Sequence, residues 1–290
     1  MAKILKLICP IFFVCFCTFY TQAREGQSSK DVSWEGNFYN KNSRLQDEFA
    51  AHALRERVFR SDESVLDVGC GTGKITSQIA TLIPEGEVVG IDISKSMLGT
   101  ARVLHGNVPN LSFRFADARD FVLDKQFDLI VSFFAVHWID KQLETFKCMH
   151  NVLMPGGDLI ITVGDGRSII DSFFNSVEKR DDFFSVATKN FRTFMYQKPE
   201  EEFIDMLESA GFENITSKFV GRICHFDSFN ELVGYFMGWL PQCIKLPEAQ
   251  SLEVCRKMTE YMYNHNDLPL DGPIDFVLDF LELTASKSKL

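Results

Sequence analysis

Positive charge is in short supply in this 290-residue chain: 30 Lys+Arg stand against 40 Asp+Glu, for a formal net charge of -10. A surface of that sign repels phosphate backbones on average, which argues against a nucleic-acid substrate. Paired cysteine spacings are also missing. Of the eight cysteines, Cys9, Cys15 and Cys17 fall in the first 23 residues, and Cys70, Cys148, Cys224, Cys243 and Cys255 make an odd, unpaired set. Neither a disulfide framework nor a zinc site is expected from them. His150 offers no metal site with Cys148, because two residues apart on a helix they face different ways. No internal repeat is present, which excludes a solenoid or propeller.

No apolar run reaches the roughly 20 residues that a membrane span needs. The longest, Leu7 to Tyr20, follows the basic Lys3 and Lys6 and precedes Thr21-Gln22-Ala23. That order matches a secretory signal peptide cleaved after Ala23, with an uncleaved anchor as the alternative. Any membrane contact is expected through this segment alone. The remainder reads as a cytoplasmic type of protein, so the two halves of the sequence disagree about compartment.

What the chain does have is core-forming material: 46% hydrophobic residues, 28 of them Phe. After a polar linker at 24–41, Asn42 to Arg60 carries apolar residues at helical spacing (Leu45, Phe49, Ala53, Leu54, Val58). Strand-like and helix-like runs then alternate from Ser64 to Val163. The strands are short, apolar on both faces and bounded by turn signals, which predicts an α/β doubly wound, mostly parallel sheet. From Val163 to about Lys198 a Phe-rich charged stretch is too long for a simple connection and is expected to form helical cap elements. A helix from Glu200 stops at Gly211. Phe212 to Phe226 and Asp275 to Thr284 read as a late strand pair giving an antiparallel edge, with a helical region from Ser228 to Asn264 between them. One domain, 42–290, with a cap insertion at about 164–198, is the expected organisation.

The chemistry concentrates where strands meet loops. Val65-Leu66-Asp67-Val68-Gly69-Cys70-Gly71-Thr72-Gly73-Lys74 is a strand running through a glycine-rich turn into a helix, which lets a nucleotide-like cofactor approach the backbone. The spacing is Gly-x-Gly-x-Gly, not the Gly-x-Gly-x-x-Gly that seats a pyrophosphate. Asp67 before the glycines suits a cationic group better than a phosphate. Asp92 ends the second strand 25 residues later, where a carboxylate can accept two ribose hydroxyls; helix capping is its alternative role, one that Ser94 can fill instead. After the third strand, Asp117 can accept an exocyclic amine of adenine, or can be a surface turn residue.

In order, spacing and strand context these features resemble the class I S-adenosylmethionine (SAM)-dependent methyltransferases over about Ser64 to Val163. The resemblance implies a Rossmann-like sheet of seven strands and SAM as cofactor. It implies that Asp67, Gly69, Gly71 and Gly73 meet the methionine end, Asp92 with Ile93 the ribose, Asp117 with Ala118 the adenine, and Ser132 the region of the transferable methyl group.

The fourth strand ends Ser132-Phe133-Phe134-Ala135-Val136-His137-Trp138-Ile139 and lacks the Asp/Asn-Pro-Pro-Tyr/Phe motif of many amino and nucleic-acid methyltransferases. Together with Tyr39-Asn40-Lys41-Asn42-Ser43-Arg44-Leu45-Gln46, it is similar to the small-molecule branch containing juvenile hormone acid methyltransferase and trans-aconitate methyltransferase. By that likeness Gln46 and Trp138 position a substrate carboxylate. His137 is the candidate base should the acceptor be a hydroxyl or amine, and a packed strand-end histidine otherwise. The competing readings are a nicotinamide-dependent oxidoreductase, disfavoured by the glycine spacing, and a non-catalytic exported SAM-binding protein. Oligomeric state is not legible.

Overall fold

The computed structural model describes Gly36, Tyr39, Asn40, and residues 43–164 and 169–289. The signal-like segment 1–23 and most of the polar run 24–41 lie outside the described residues. Helix α1 (Arg44–Ala53) precedes the alternating core β1 (Ser64–Val68), α2 (Lys74–Leu82), β2 (Glu87–Asp92), α3 (Lys95–His105), β3 (Leu111–Phe115), β4 (Phe127–Phe133), α4 (Gln142–Val152) and β5 (Leu153–Gly164). Then come α5 (Ile169–Val177), α6 (Phe183–Phe194), α7 (Glu200–Ser209), β6 (Glu213–Phe226), α8 (Phe229–Ile244), α9 (Glu248–His265) and β7 (Ile274–Ser286).

The seven strands form one sheet in the order β3-β2-β1-β4-β5-β7-β6. Strands β1 to β5 pair in parallel, and β7 runs antiparallel to both β5 and β6. Every residue of β1 is buried, because helices cover both faces of the sheet. The order reverses at β1 and β4, and the crevice at such a switch point is where α/β sheets bind ligands.

Local chemistry fixes the element ends. Ser94 caps α3 by accepting the Met97 N–H at 3.2 Å, and the Asn110 amide donates to the carbonyls of Ala80 and Ile83 at the end of α2. Gly211, at φ +97°, stops α7 as its glycine signal predicts. Helix α1 is shorter than its apolar spacing suggested. It ends at Ala53, leaving Val58 87% exposed on a loop.

Past the pair Gly164–Phe280, β7 bonds only to β6. The resulting ribbon projects beyond the carboxyl edge of the sheet and carries α8 and α9 between its strands. Those helices, with α5 and α6, bury Phe173, Phe174, Phe191, Phe236 and Tyr263 in a second core that also takes Leu45 and Phe49 of α1. The layer above the carboxyl edge is therefore built from two chain segments, 169–194 and 229–265. Apolar side chains removed from water on this scale, each worth about 1.5–3 kcal/mol, hold it to the sheet.

Candidate active site

A large cleft lies between the carboxyl edge of the sheet and this helical layer. Its lower part is lined by Gly69, Gly71, Ile91, Asp92, Ile93, Met97, Ala116, Asp117 and Ala118, and its upper part by Gln46, Phe134, His137, Trp138, Ile170, Met195, Tyr235, Trp239 and Leu278.

The glycine turn is shaped by three left-handed residues, at φ +78° (Gly69), +55° (Gly71) and +74° (Gly73). They do different jobs. A Cβ on Gly71 would meet nothing within 4 Å, so this is the bare backbone that a ligand can approach. A Cβ on Gly69 would come within 2.3 Å of the Ala135 Cβ; its absence lets β4's end nest against β1's. Asp92 sits between the turn and α3. One carboxylate oxygen accepts the Gly71 N–H at 2.9 Å and the other the Ser94 N–H at 2.7 Å. Burial raises its pKa while these backbone bonds work against the shift. With Ser94 doing the helix capping, the remaining lone pairs of Asp92 are free for a ligand. Asp117 lines the cleft, and its carboxylate is gripped in a bidentate pair by Arg119, at 2.8 and 2.7 Å. Arg119 also donates to Asp140 at 3.0 Å. The pair fixes Asp117 rather than consuming it, since a carboxylate has about four acceptor positions.

Three residues expected at the cofactor do not line the cleft. Asp67 is buried beneath it, accepting the Thr76 hydroxyl at 2.7 Å, and burial raises its pKa to about 7. Gly73 serves packing: a Cβ there would fall 2.4 Å from the Phe113 ring. Ser132 is fully buried and donates to the Val68 carbonyl at 2.7 Å, tying β4 to β1. All three hold the turn from below.

His137 is not placed to act as a base. Its Nδ1 accepts the Gly164 N–H at 3.2 Å, which puts the proton on Nε2, and burial depresses its pKa to about 3. The ring is a neutral donor at neutral pH. The short 3-10 turn Val136–Trp138 that presents it is pinned by Gln142, whose amide donates to the carbonyls of Val136 and Tyr196. Phe134, at φ +53°, is a bulky residue in the left-handed region, a conformation that costs about 1–3 kcal/mol and clusters at functional sites.

Some cleft residues were given no place in the site by the sequence. Tyr39 falls inside the stretch read as linker yet lines the cleft, while its neighbour Asn40 accepts the Thr72 hydroxyl at 3.1 Å. Tyr235 and Trp239 come from α8, where a buried stripe at Leu232, Tyr235, Phe236 and Trp239 looks like ordinary core spacing.

The fit to SAM is good on the structure's own terms. Asp92 and Asp117 supply acceptors beside flat apolar contacts from Ile93, Met97, Ala116 and Ala118, which is what a purine nucleoside uses. A dinucleotide fits poorly, because the Gly71 N–H that would face a pyrophosphate is already bonded to a carboxylate.

Comparison with known proteins agrees. The family described as "Methyltransferase domain" matches residues 65–157. Over 198 residues the chain is 30% identical to juvenile hormone acid O-methyltransferase of Bombyx mori, covering 62% of this chain and 69% of that protein. It is 31% identical over 168 residues to a protein of Invertebrate iridescent virus 6 named as a methyltransferase, covering 58% of this chain and 60% of that one. A crystal structure named as a methyltransferase, from Bacillus halodurans, superimposes with a TM-score of 0.57 at 20% identity, covering 83% of this chain and 99% of the other. That likeness speaks for the fold. Fold and site together define a Rossmann-like, SAM-binding type of protein. The chain belongs to the class I SAM-dependent methyltransferases.

Proposed function

We propose that this protein methylates a small carboxylic acid with an apolar body, giving its methyl ester. The observation that carries the reading is that, among the described lining residues, the histidine and the tyrosines, the usual bases for a hydroxyl or amine acceptor, are held in forms that do not take a proton. The titratable lining residues are Tyr39, Asp92, Asp117, His137, Tyr235 and Asp279, with no Lys, Arg or Cys. Burial holds both tyrosines protonated and His137 neutral with its Nδ1 engaged. Asp92 and Asp117 belong to the cofactor end, and Asp279 lies on the ribbon with its carboxylate beside Gly221. A hydroxyl or ammonium acceptor would need a base. A carboxylic acid, with a pKa near 4, is already an anion at neutral pH.

When bound, SAM supplies an electrophilic methyl group, and transfer to a carboxylate releases no proton that the protein must collect. The chain's task reduces to binding, orientation and exclusion of water. Asp92 and Asp117 hold the nucleoside, and the Gly71 backbone gives it room. Gln46 and Trp138 face the acceptor, and His137 can add its Nε2–H. These are neutral donors, so they orient a carboxylate without the charge neutralisation that a guanidinium would impose on the nucleophile. Ile170, Met195 and Leu278 offer an apolar wall for the acceptor's body. The Bombyx mori relative is named for methylating an acid, which supports the same reading.

Calorimetric titration of the protein with SAM and, separately, NADH is the first test, followed by mass-spectrometric screening of carboxylic acids for methyl ester formation. SAM binding with ester formation supports the proposal. A folded chain that binds SAM but methylates only amines or alcohols refutes the acceptor assignment, and one that binds no SAM overturns the reading as a whole.

A further inference from the structure

Among the described residues, two that line the cleft each carry a buried side-chain polar atom without a hydrogen-bond partner: Gln46, at Oε1, and Trp239, at Nε1. An unpartnered buried polar group is costly and calls for an explanation at the site that holds it. Gln46 can turn its amide by half a rotation and offer either a donor or an acceptor. Trp239 cannot. Its indole N–H only donates, and the residue is 7% exposed. Edge contacts to Trp138 (6.4 Å), Tyr235 (6.4 Å) and Phe236 (6.2 Å) hold it in place. The Tyr235 hydroxyl is near enough for the indole to ease its ionisation, but the two do not meet the geometry of a hydrogen bond.

We infer that Trp239 is a positioning residue whose Nε1–H receives an oxygen of the acceptor's carboxylate, from the helical layer opposite the sheet. The inference rests on the carboxyl-methylation reading above. It adds a determinant of acceptor class. A ligand group beside Trp239 must accept a hydrogen bond, so a carboxylate is satisfied there. An ammonium would set N–H against N–H and leave both unpaired. Trp138, in contact with Trp239 and delivered from the end of β4, faces the same space. The sheet and the ribbon-borne helix α8 thus each contribute an indole. Because Trp239 reaches the cleft only when α8 is docked, the donor set is completed by the tertiary fold.

The test uses the full chain saturated with S-adenosylhomocysteine, with dodecanoate, methyl dodecanoate and dodecylamine as probes. Trp239→Phe keeps an aromatic wall and removes the N–H. It is expected to weaken dodecanoate binding about tenfold or more, as for a lost hydrogen bond to a charged group, to weaken methyl dodecanoate much less, and to leave SAM affinity unchanged. Equal losses for acid and ester would assign Trp239 a packing role and overturn the inference, as would wild-type dodecanoate affinity in the variant. A second measurement needs no Trp239 variant: on ¹⁵N-tryptophan-labelled chain, dodecanoate should move the indole N–H signal that neither Trp34→Phe nor Trp138→Phe removes. No such movement also overturns it. If the unsubstituted chain binds dodecylamine and not dodecanoate, or takes up no dodecanoate, the carboxyl reading itself fails. If it binds dodecanoate and Trp239→Phe binds it equally well, only the Trp239 assignment fails.

Discussion

Replacing Asp92 with alanine should abolish useful cofactor affinity, and the size of the loss follows from the bonds at that position. Asp92 holds the Gly71 and Ser94 N–H groups at 2.9 and 2.7 Å and keeps acceptor capacity toward the cleft. If it takes both ribose hydroxyls, the alanine variant loses two hydrogen bonds to a charged group, each worth about 1.5–3 kcal/mol. That is roughly 3–6 kcal/mol, or about a hundred- to ten-thousandfold in Kd for SAM. The freed Gly71 N–H also loosens the turn, adding to the loss. Calorimetry with SAM and S-adenosylhomocysteine measures it, and circular dichroism checks that the fold survives. A pH series gives an independent reading. Burial raises the Asp92 pKa in the free chain, and the ionised form is the one that accepts hydroxyls. Wild-type affinity should therefore fall as pH drops through that raised value, above the usual carboxylate range, and the alanine variant should lack this dependence. A Kd within threefold of wild type in the folded variant would refute the ribose assignment.

Four further outcomes are expected. Gly71→Ala should cost cofactor affinity with a smaller loss of Tm than Gly73→Ala, because its Cβ would point into open cleft and only the left-handed φ is strained. Gly73→Ala should cost about 3 kcal/mol of stability, or roughly 5–10 °C in Tm, through the collision with Phe113 and the left-handed φ; calorimetric Tm and SAM titration of both variants separate the roles. Asp67 has a folded pKa of about 7, raised by burial, so the stability of its protonated form is present in full below about pH 4 and is lost as pH rises through 7. In thermal melts of the free protein, Asp67→Asn should gain on wild type from pH 5 to pH 8 by up to roughly 3 kcal/mol; a constant difference would contradict the buried-carboxyl account. Trp138→Ala should lose turnover of acids while keeping SAM affinity, as initial rates and calorimetry would show, and parallel loss of both would mean that Trp138 supports the cofactor site or the fold.

The fold was legible in the sequence because both of its signals are local. Short two-faced apolar runs between turn residues can only be strands covered by helices, and the glycine turn with Asp92 at the end of the next strand sets the binding edge of such a sheet. The roles of individual residues in that turn were not legible, since Gly69, Gly71 and Gly73 look alike in one dimension. Only the packed structure shows that Ala135 fills the space at the first, nothing fills it at the second, and Phe113 fills it at the third. In the same way the sequence shows His137 at a strand end, while Gly164, brought alongside by the β4–β5 pairing, decides that its Nδ1 is an acceptor already in use. Trp239 is the extreme case. Its helical spacing marks it as buried, but what it is buried against depends on the β6–β7 ribbon carrying α8 over the sheet, a contact between residues a hundred positions apart in sequence, and no local pattern encodes that distance.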